Sequence, residues 1–331
     1  MGQEGPVRLA LFGPGGFGYE RARAMASSAL VDFAACYSPF EVERKACAEE
    51  FGVTAAEQET DIWEDPTIDG VVLSTPNQIH LQQIQAAANS GKHVFVEKPL
   101  APKLAEAIEI VDLCEAAGIT LMVGHNARRR ARIRLMKRFL DDGRLGRALV
   151  AEANNSHSGG LTLQPDDWRW SPDNCPGGPL TQLGIHHIDT LQYLMGPVAR
   201  VSAWQRRLAI EAAIPDTTTT LLGFESGALG YLGAHYAVQS TRYIFILGTE
   251  ANVRWDRVMG FVLEGEDGRE TIELDEIDTI QEEIDEFATS IASHTEVEVS
   301  GREALAAVAV IEAAVLSNQR GRPVDISELL G

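Results

Sequence analysis

Residues 7–18 read VRLALFGPGGFG, and this stretch decides the fold of the N-terminal half. An apolar run, Val7–Phe12, leads directly into a loop with the spacing G-x-G-x-x-G, and the helix-like stretch Tyr19–Ser28 follows. The glycine pattern alone is weak evidence, but a strand before it and a helix after it are the context that a dinucleotide-binding turn requires. The stretch therefore predicts a strand–loop–helix unit that binds a dinucleotide cofactor.

Each glycine of this loop has a physical task. Gly13 permits a tight turn, Gly15 lets the backbone approach a pyrophosphate, and Gly18 permits close packing of the helix on the strand. The amide groups at the helix N-terminus then bind the anion. Gly16 and Phe17 lie in the same turn, so we expect all five residues at the cofactor. The alternative interpretation is an ordinary glycine-rich turn.

Short apolar runs recur through the first 125 residues, with helix-like stretches between them. The runs are continuous rather than alternating, as in parallel strands that are buried on both faces. This rhythm predicts a doubly wound, parallel α/β sheet with right-handed crossovers. The predicted strands are Val7–Phe12, Val31–Cys36, Gly70–Leu73, His93–Val96 and Thr120–Val123, and the predicted helices are Tyr19–Ser28, Glu41–Phe51, Ile79–Ser90 and Lys103–Ala117.

The pattern changes after residue 125. A basic amphipathic helix, Arg128–Asp142, precedes a strand-rich half in which residues 225–227, Glu-Ser-Gly, predict a hairpin turn. We expect a nucleotide-binding domain over residues 1–125 and an α/β domain over residues 126–331, with a late helix as a candidate to pack back on the first domain. The predicted strands of the second half are Ala148–Asn155, Val198–Ile210, Thr217–Ala237 and Tyr243–Glu264, and its last helices are Ile280–Ser293 and Arg302–Gln319.

Composition narrows the function classes. The formal net charge of −20 repels phosphate backbones and anionic membranes, which argues against nucleic acid and membrane partners. The four cysteines form no C-x-x-C pair and are expected to be free thiols in a reducing compartment. No stretch resembles a signal peptide or a membrane span, so we expect a cytoplasmic protein.

The end of the second predicted strand bears on cofactor choice. An NAD-binding site usually places Asp or Glu there to accept a hydrogen bond from the ribose 2′-hydroxyl. Here Val31–Cys36 is followed by Tyr37 and Ser38, and the nearest carboxylate, Glu41, lies beyond a proline. A missing carboxylate removes repulsion against a 2′-phosphate, to which Ser38 could donate. We therefore favour NADP over NAD, and the alternative is that Tyr37 and Ser38 only cap the strand.

Polar groups follow three further strands at the edge where open α/β sheets bind ligands. They are Thr75, Pro76 and Asn77 with His80, then Glu97-Lys98-Pro99, then Gly124-His125-Asn126. Lys98 is the sharpest candidate, because Pro99 restricts its backbone and low-dielectric walls lower a lysine pKa. Such a lysine can exchange protons with an alcohol or a carbonyl. The alternative is a surface lysine paired with Glu97.

Together these motifs resemble the Gfo/Idh/MocA oxidoreductases. Residues 177–189, GGPLTQLGIHHID, are similar to the family's second-domain signature G-G-x-L-x-D-x-G-x-H-x-x-D, and residues 299–324 are similar to its usual C-terminus. The resemblance covers nearly the whole chain. It implies a Rossmann domain followed by an α/β domain with a large, open, mostly antiparallel sheet.

The resemblance also implies an activity, which is hydride transfer between NAD(P) and a hydroxyl or carbonyl carbon of a sugar, cyclitol or sugar derivative. By position, Lys98 is then the catalytic lysine that polarises the reacting oxygen, and His186 is the general acid/base or its partner. Glu97 and Asn77 contact the cofactor, and Asp189 faces the substrate. The residues expected at the cofactor are Gly13, Gly15, Gly16, Phe17, Gly18, Tyr37, Ser38, Thr75, Pro76, Asn77, His80, Glu97 and Lys98.

Gln182 departs from the family pattern, which often has Asp at this place. An amide orients a substrate by hydrogen bonds but does not accept a proton at neutral pH. We therefore expect Gln182 to bind substrate, and the acid/base work to fall on Lys98 and His186. Gln182 and His186 share one helix face if the helix has begun by residue 182.

Further substrate contacts are predicted in the second domain. Trp168 can stack on a sugar and Arg169 can bind hydroxyls or a carboxylate, while Arg128 and His157 are weaker candidates. The alternatives are core packing for Trp168 and Trp170, and a solvated helix face for the arginines of residues 128–134.

Three hypotheses follow. The first is the oxidoreductase, assembled as a homodimer or homotetramer through the exposed face of its open sheet. The second is a sensor that binds NAD(P) and its sugar without chemistry, as the same fold does in the galactose-pathway repressor of yeast. The third is a metal-dependent lyase or hydrolase that uses His157, His186, His187 and Asp189, although no ligand spacing demands a metal and we predict none.

Overall fold

A computed structural model describes residues 5–331. They form two compact units, residues 5–126 with Asp278–Leu305, and Ala127–Ile277 with Ala306–Gly331. Within the described residues, no helix is both long and apolar enough to cross a membrane.

The first unit is built on a six-stranded parallel sheet in the order β3-β2-β1-β4-β5-β6. This order reverses direction between β1 and β4, which is the switch point where doubly wound sheets bind nucleotides. The strands are β1 (Val7–Phe12), β2 (Val31–Tyr37), β3 (Thr54–Ala55), β4 (Gly70–Leu73), β5 (His93–Glu97) and β6 (Leu121–Gly124). The helices are α1 (Gly18–Ser27), α2 (Glu41–Phe51), α3 (Thr60–Trp63), α4 (His80–Asn89) and α5 (Leu104–Ala117).

A late helix belongs to this first unit. α8 (Thr279–Ser293) presents Phe287, which is fully buried and meets the ring of Phe95 edge-on at 5.9 Å. Phe95 lies on β5, so the helix covers one face of the parallel sheet. The continuous apolar runs of the sequence are explained by this cover on both faces.

The second unit is built on a nine-stranded sheet in the order β14-β13-β12-β11-β7-β10-β9-β8-β15. Its neighbours are antiparallel except β7 and β10. The strands are β7 (Ala148–Ser156), β8 (Val198–Arg206), β9 (Thr217–Phe224), β10 (Leu229–His235), β11 (Thr241–Gly248), β12 (Ala251–Asp256), β13 (Gly260–Gly265), β14 (Gly268–Ile272) and β15 (Val324–Asp325). The helices are α6 (Ala131–Asp141), α7 (Ile185–Met195), α9 (Gly301–Arg320, whose first residues belong to the first unit) and α10 (Ser327–Leu330).

The predicted fold class is confirmed, because a parallel Rossmann sheet and a large, mostly antiparallel sheet are both present. Two predicted strands had wrong bounds. Tyr243–Glu264 is three strands, with a turn at Val258, which is 93% exposed. Val198–Ile210 ends at Arg206, because the carboxylate of Asp216 accepts hydrogen bonds from the amides of residues 208–210 and holds them in a loop.

Candidate active site

The glycine loop is packed too tightly for any side chain at two of its positions. A Cβ on Gly18 would lie 1.8 Å from the carbonyl oxygen of Gly13, and a Cβ on Gly13 would lie 2.6 Å from that of Ser74. Gly13 also has a φ of +76°, which disfavours other residues. The loop therefore brings bare backbone to the carboxyl ends of β1 and β4 and fits a pyrophosphate there. Gly16 and the half-exposed Phe17 complete the turn before α1.

The structure corrects the premise behind the NADP preference. Ser38 is 1% exposed, and its hydroxyl donates a hydrogen bond of 2.6 Å to the carboxylate of Glu43. That carboxylate also reaches the glycine loop, since a Cβ on Gly15 would lie 2.5 Å from Glu43 Oε1. The Glu43 carboxylate, from the first turn of α2, thus places a negative charge at the end of β2. The Ser38 hydroxyl is hydrogen-bonded to Glu43. The backbone carbonyl oxygen of Tyr37 accepts a hydrogen bond from the Gly13 amide at 2.9 Å.

His80 is held by two backbone contacts within the first unit, and its place at the cofactor stays a prediction. It is 1% exposed, and its two ring nitrogens lie 3.1 Å from the carbonyl oxygens of Thr75 and Leu100. Burial lowers the pKa of this imidazole, so it is neutral at physiological pH. It ties the loop after β4 to the loop after β5. The Thr75 hydroxyl donates to Gln83, Pro76 is exposed, and Asn77 is 3% exposed in a short 3₁₀ turn.

Glu97 anchors a buried ion-pair triad. Arg21, which is fully buried, donates to Glu97 at 2.8 Å and lies 2.7 Å from a carboxylate oxygen of Glu283 on α8. Burial alone lowers the pKa of Arg21, but the two carboxylates outweigh it and raise that pKa. Glu97 therefore fixes the end of β5 against α1 and α8, whatever it contacts on the cofactor. The next residue, Lys98, is half-buried and precedes a cis peptide bond to Pro99.

His186 lies in the first turn of α7, directly after a π-helical turn over Leu180–Gly184. It lines a cavity of about 90 Å³ in the second unit, together with Leu183 and Thr190 from the same stretch. Because the chain is π-helical rather than α-helical at Gln182, the predicted shared face of Gln182 and His186 is not an α-helical one. Gln182 is 8% exposed and does not line this cavity.

The same cavity is strongly basic. Its walls include the side chains of Arg130, Arg132 and Arg242, from the start of α6 and from β11. None of the three forms an ion pair with any residue of the described range, 5–331. Burial and the charge of Arg130 lower the pKa of Arg132 to about 10, while Glu276 opposes this shift and Arg242 adds to it. The guanidinium of Arg132 stacks on the Trp255 ring at 3.8 Å from its centroid.

His187 also lines the cavity but is held as a neutral ring. Its Nε2 donates to the carbonyl oxygen of Asn154 at 3.1 Å. Burial lowers its pKa to about 4, with the three cavity arginines adding to the shift. His187 therefore fastens α7 to β7 and carries no charge at neutral pH.

Asp189 and Arg128 bind each other, and their contact with the substrate stays a prediction. The Nε of Arg128 donates to Asp189 at 2.9 Å, and its Nη2 pairs with the other carboxylate oxygen. Arg128 is 5% exposed and Asp189 is 1% exposed. A buried carboxylate requires such a partner, and the bidentate pair fixes the segment before α6 against α7.

The remaining predicted substrate contacts lie apart from the cavity walls. Arg169 stacks on Trp168 at 4.4 Å from the ring and pairs with Asp167 at 3.3 Å. His157 accepts a hydrogen bond from the Gly159 amide, and burial lowers its pKa. Their roles stay predictions. Trp170 packs on a small apolar cluster made of Cys175, Ile210, Ala212, Ile214 and Tyr236.

Two features escaped the sequence reasoning. Glu43 could not be found from the residues directly after β2, because it reaches that strand end only through the packing of α2 over it. The basic cavity was missed because Arg130 and Arg132 lie in a run that was read as a candidate solvated face, and Arg242 lies on a distant strand. Within the described residues, no group of three or more His, Cys, Asp or Glu side chains is arranged to hold a metal ion.

Comparison with known proteins places these two units in a family. Residues 7–125 match the "Oxidoreductase family, NAD-binding Rossmann fold", and residues 133–254 match the "GFO/IDH/MocA C-terminal domain". A crystal structure described as that of a "putative nadph-dependent oxidoreductase" from Desulfitobacterium hafniense DCB-2 is 31% identical, with a TM-score of 0.96 over 99% of this chain and 100% of that chain.

Curated relatives agree. The chain is 27% identical over 271 residues to the 1,5-anhydro-D-fructose reductase of Ensifer adhaerens, covering 79% of this chain and 81% of the relative. It is also 27% identical over 344 residues to the myo-inositol 2-dehydrogenase of Thermotoga maritima, covering 98% of this chain and 100% of the relative. With the glycine loop and the Glu-Lys-Pro strand end in place, these matches show that the chain belongs to the Gfo/Idh/MocA family of oxidoreductases.

Proposed function

We propose that this protein is an NAD(P)-dependent dehydrogenase or reductase that acts on a CH–OH group of a sugar, cyclitol or sugar derivative. The observation that carries the proposal is the side-chain-free glycine loop after β1 together with Lys98 after β5 of the same parallel sheet, in a chain whose relatives include a sugar reductase and a cyclitol dehydrogenase. A cytoplasmic location stays a prediction from the sequence.

The residues divide the work as follows. The amides before α1 bind the pyrophosphate, because the helix N-terminus carries a partial positive charge. Lys98 donates a hydrogen bond to the reacting oxygen and stabilises negative charge that develops on it. His186 takes up or returns the proton of the substrate hydroxyl. The nicotinamide ring supplies the hydride acceptor or donor when the cofactor is bound.

Substitution of Lys98 tests this assignment. Lys98→Ala should lower turnover by two or more orders of magnitude, on the scale of a lost acid/base group, while cofactor binding is retained. Turnover is followed at 340 nm on a panel of sugars and cyclitols, and cofactor binding by fluorescence. Lys103→Ala, an exposed lysine of the same unit, is the matched control. Unchanged turnover in Lys98→Ala would remove it from the mechanism, and cofactor binding without turnover by the unmodified protein would favour the sensor.

For the cofactor, we propose NAD in place of the NADP that the strand end suggested. Glu43 is oriented by Ser38 at the edge of the glycine loop, where a carboxylate accepts from a ribose 2′-hydroxyl and repels a 2′-phosphate. Arg44, the neighbouring cation, donates instead to the Ser38 carbonyl oxygen at 3.3 Å.

The test compares dissociation constants of NADH and NADPH. The unmodified protein should bind NADH more tightly, and Glu43→Gln should reduce the preference about tenfold or more, as expected for a hydrogen bond to a charged group. Glu41→Gln is the control, because Glu41 is exposed and pairs with Lys45. Tighter binding of NADPH by the unmodified protein would overturn the assignment.

We also propose self-association through the outer face of the nine-stranded sheet. Trp204 and Leu221, on adjacent strands β8 and β9, are 55% and 45% exposed on that face. Apolar side chains grouped on an open sheet are typical of an interface. Light scattering should give the mass of a dimer or tetramer, and a monomer at all concentrations would contradict this.

A further inference from the structure

Among the residues that the structure describes, no Asp or Glu side chain lines the basic cavity of the second unit. Within residues 5–331, Arg130, Arg132 and Arg242 form no ion pair, and the Nε of Arg242 is buried without a hydrogen-bond partner. Glu276, the acidic group that opposes the lowered pKa values of Arg130 and Arg132, is exposed and lines the neighbouring cleft rather than this cavity. Three like charges held together with partial burial are costly, and an oxyanion bound in the cavity would offset that cost.

The negative charge of the whole chain makes the positive charge of the three cavity arginines stand out from their surroundings. With a formal net charge of −20, the average surface repels small anions. A local concentration of three guanidinium groups in a concave site reverses that field over a few ångströms. Guanidinium groups bind carboxylate and phosphate oxygens in a bidentate manner, so the ligand's charged group is an oxyanion.

One wall of the cavity carries a hydrogen-bond acceptor, the Oδ1 of Asn155, that a ligand hydroxyl could satisfy. Asn155 is 6% exposed, and its Nδ2 donates to the Leu183 carbonyl oxygen at 3.0 Å, which fixes the orientation of the amide. Its Oδ1 is then a buried acceptor without a partner. A ligand hydroxyl would satisfy it. The volume of about 90 Å³ holds several water-sized groups, enough for an oxyanion and a neighbouring hydroxyl.

We propose that this cavity binds the oxyanion of a polyhydroxy substrate, such as an aldonate, a uronate or a sugar phosphate, and places its hydroxyl-bearing carbons beside His186. The inference rests on the proposed function and narrows its substrate class from neutral sugars to anionic sugar derivatives. His186 shares the cavity wall with the three arginines, so an anchored oxyanion holds the rest of the molecule close to this imidazole.

The experiment measures ligand binding by calorimetry to the full-length protein saturated with NADH. D-gluconate, D-glucuronate and D-glucose 6-phosphate are compared with neutral D-glucose and D-glucitol. At least one anion should bind ten times more tightly than the neutral compounds, with affinity that falls as salt rises. The first two ligands identify a carboxylate site and the third a phosphate site, and either result supports the proposal.

Variants locate the binding in the cavity. Arg132→Gln and Arg242→Gln should each weaken binding of the preferred anion tenfold or more, the loss expected for a charged hydrogen bond. Arg138→Gln removes the same charge from the exposed side of α6 and should leave binding unchanged. Circular dichroism confirms that each variant is folded.

Two outcomes would overturn the inference. One is that anions bind no more tightly than the neutral compounds, and the other is that both cavity variants bind like the unmodified protein. In either case, turnover of a neutral sugar would leave the proposed function intact. If NADH itself fails to bind, the proposed function fails first, so the two failures are distinguishable.

Discussion

Arg21 in the first unit and Arg132 in the second are both largely removed from water, but their surroundings are opposite. Arg21 lies between Glu97 and Glu283, and the two carboxylates raise its pKa. Burial, together with the charge of Arg130, lowers the pKa of Arg132 to about 10, against the opposing effect of Glu276. An arginine paired with buried carboxylates stabilises the fold, whereas one that forms no ion pair in a cavity is available to a ligand.

Removal of the balanced arginine should have the largest effect on stability. Arg21→Met leaves two carboxylates buried without a cation, so we expect a loss of about 3–5 kcal/mol in the free energy of unfolding. Urea denaturation measures it. Arg200→Met is the control, because the exposed Arg200–Asp325 pair is screened by water and should contribute little to stability. Equal losses of unfolding free energy in Arg21→Met and Arg200→Met would show that the buried triad stabilises the fold no more than an exposed ion pair does.

Protonation of His187 should have the next largest effect. Its pKa is about 4 when folded and near 6.5 when unfolded, so the unfolded chain binds the extra proton between these values. Its contribution to stability is complete above pH ~6.5 and is lost as the pH falls towards 4, by about 3 kcal/mol.

The measurement is the free energy of unfolding against pH for the unmodified protein and for His187→Gln. Glutamine keeps a donor for the Asn154 carbonyl oxygen but does not titrate. The difference between the two curves should shrink below pH 6.5. Parallel curves would show that the cavity arginines and burial do not hold this ring neutral.

Removal of an unbalanced arginine should have the smallest effect. Arg132→Gln loses the stacking contact on Trp255, worth about 0.5–1 kcal/mol, but relieves repulsion from Arg130 and Arg242. The free energy of unfolding should therefore stay within about 1 kcal/mol of the original. A decrease in the free energy of unfolding as large as that of Arg21→Met would show that Arg132 stabilises the fold, and would contradict its assignment to ligand binding.

Local patterns predicted the fold and part of the site. The strand–loop–helix context identified the loop in which Gly13 and Gly18 leave no room for side chains. The roles of Lys98 and His186, which rest on a strand end and on the family signature, stay predictions. The Rossmann sheet and its glycine loop could be predicted because neighbours in sequence determine them.

What local patterns did not predict depends on contacts between distant elements. Glu43 reaches the end of β2 only because α2 folds over it, and Asp189 is paired with Arg128, which lies 61 residues earlier. His80 is engaged by the carbonyl oxygen of Leu100 from another loop. A motif gives the residue type at such positions, but the partner that decides its role is set by tertiary packing.

The π-helical turn at Leu180–Gly184 has a consequence for anyone who edits this segment. Each residue of an α-helix advances the chain by about 100°, following from 3.6 residues per turn. Deleting one residue to regularise the turn would rotate everything after it by that angle. The imidazole of His186 would swing out of the cavity wall, and α7 would lose either its hydrogen bond to Asn154 or its buried pair with Arg128. The π-helical turn thus allows α7 to keep its hydrogen bond to Asn154 and its ion pair with Arg128 while the imidazole of His186 lines the cavity.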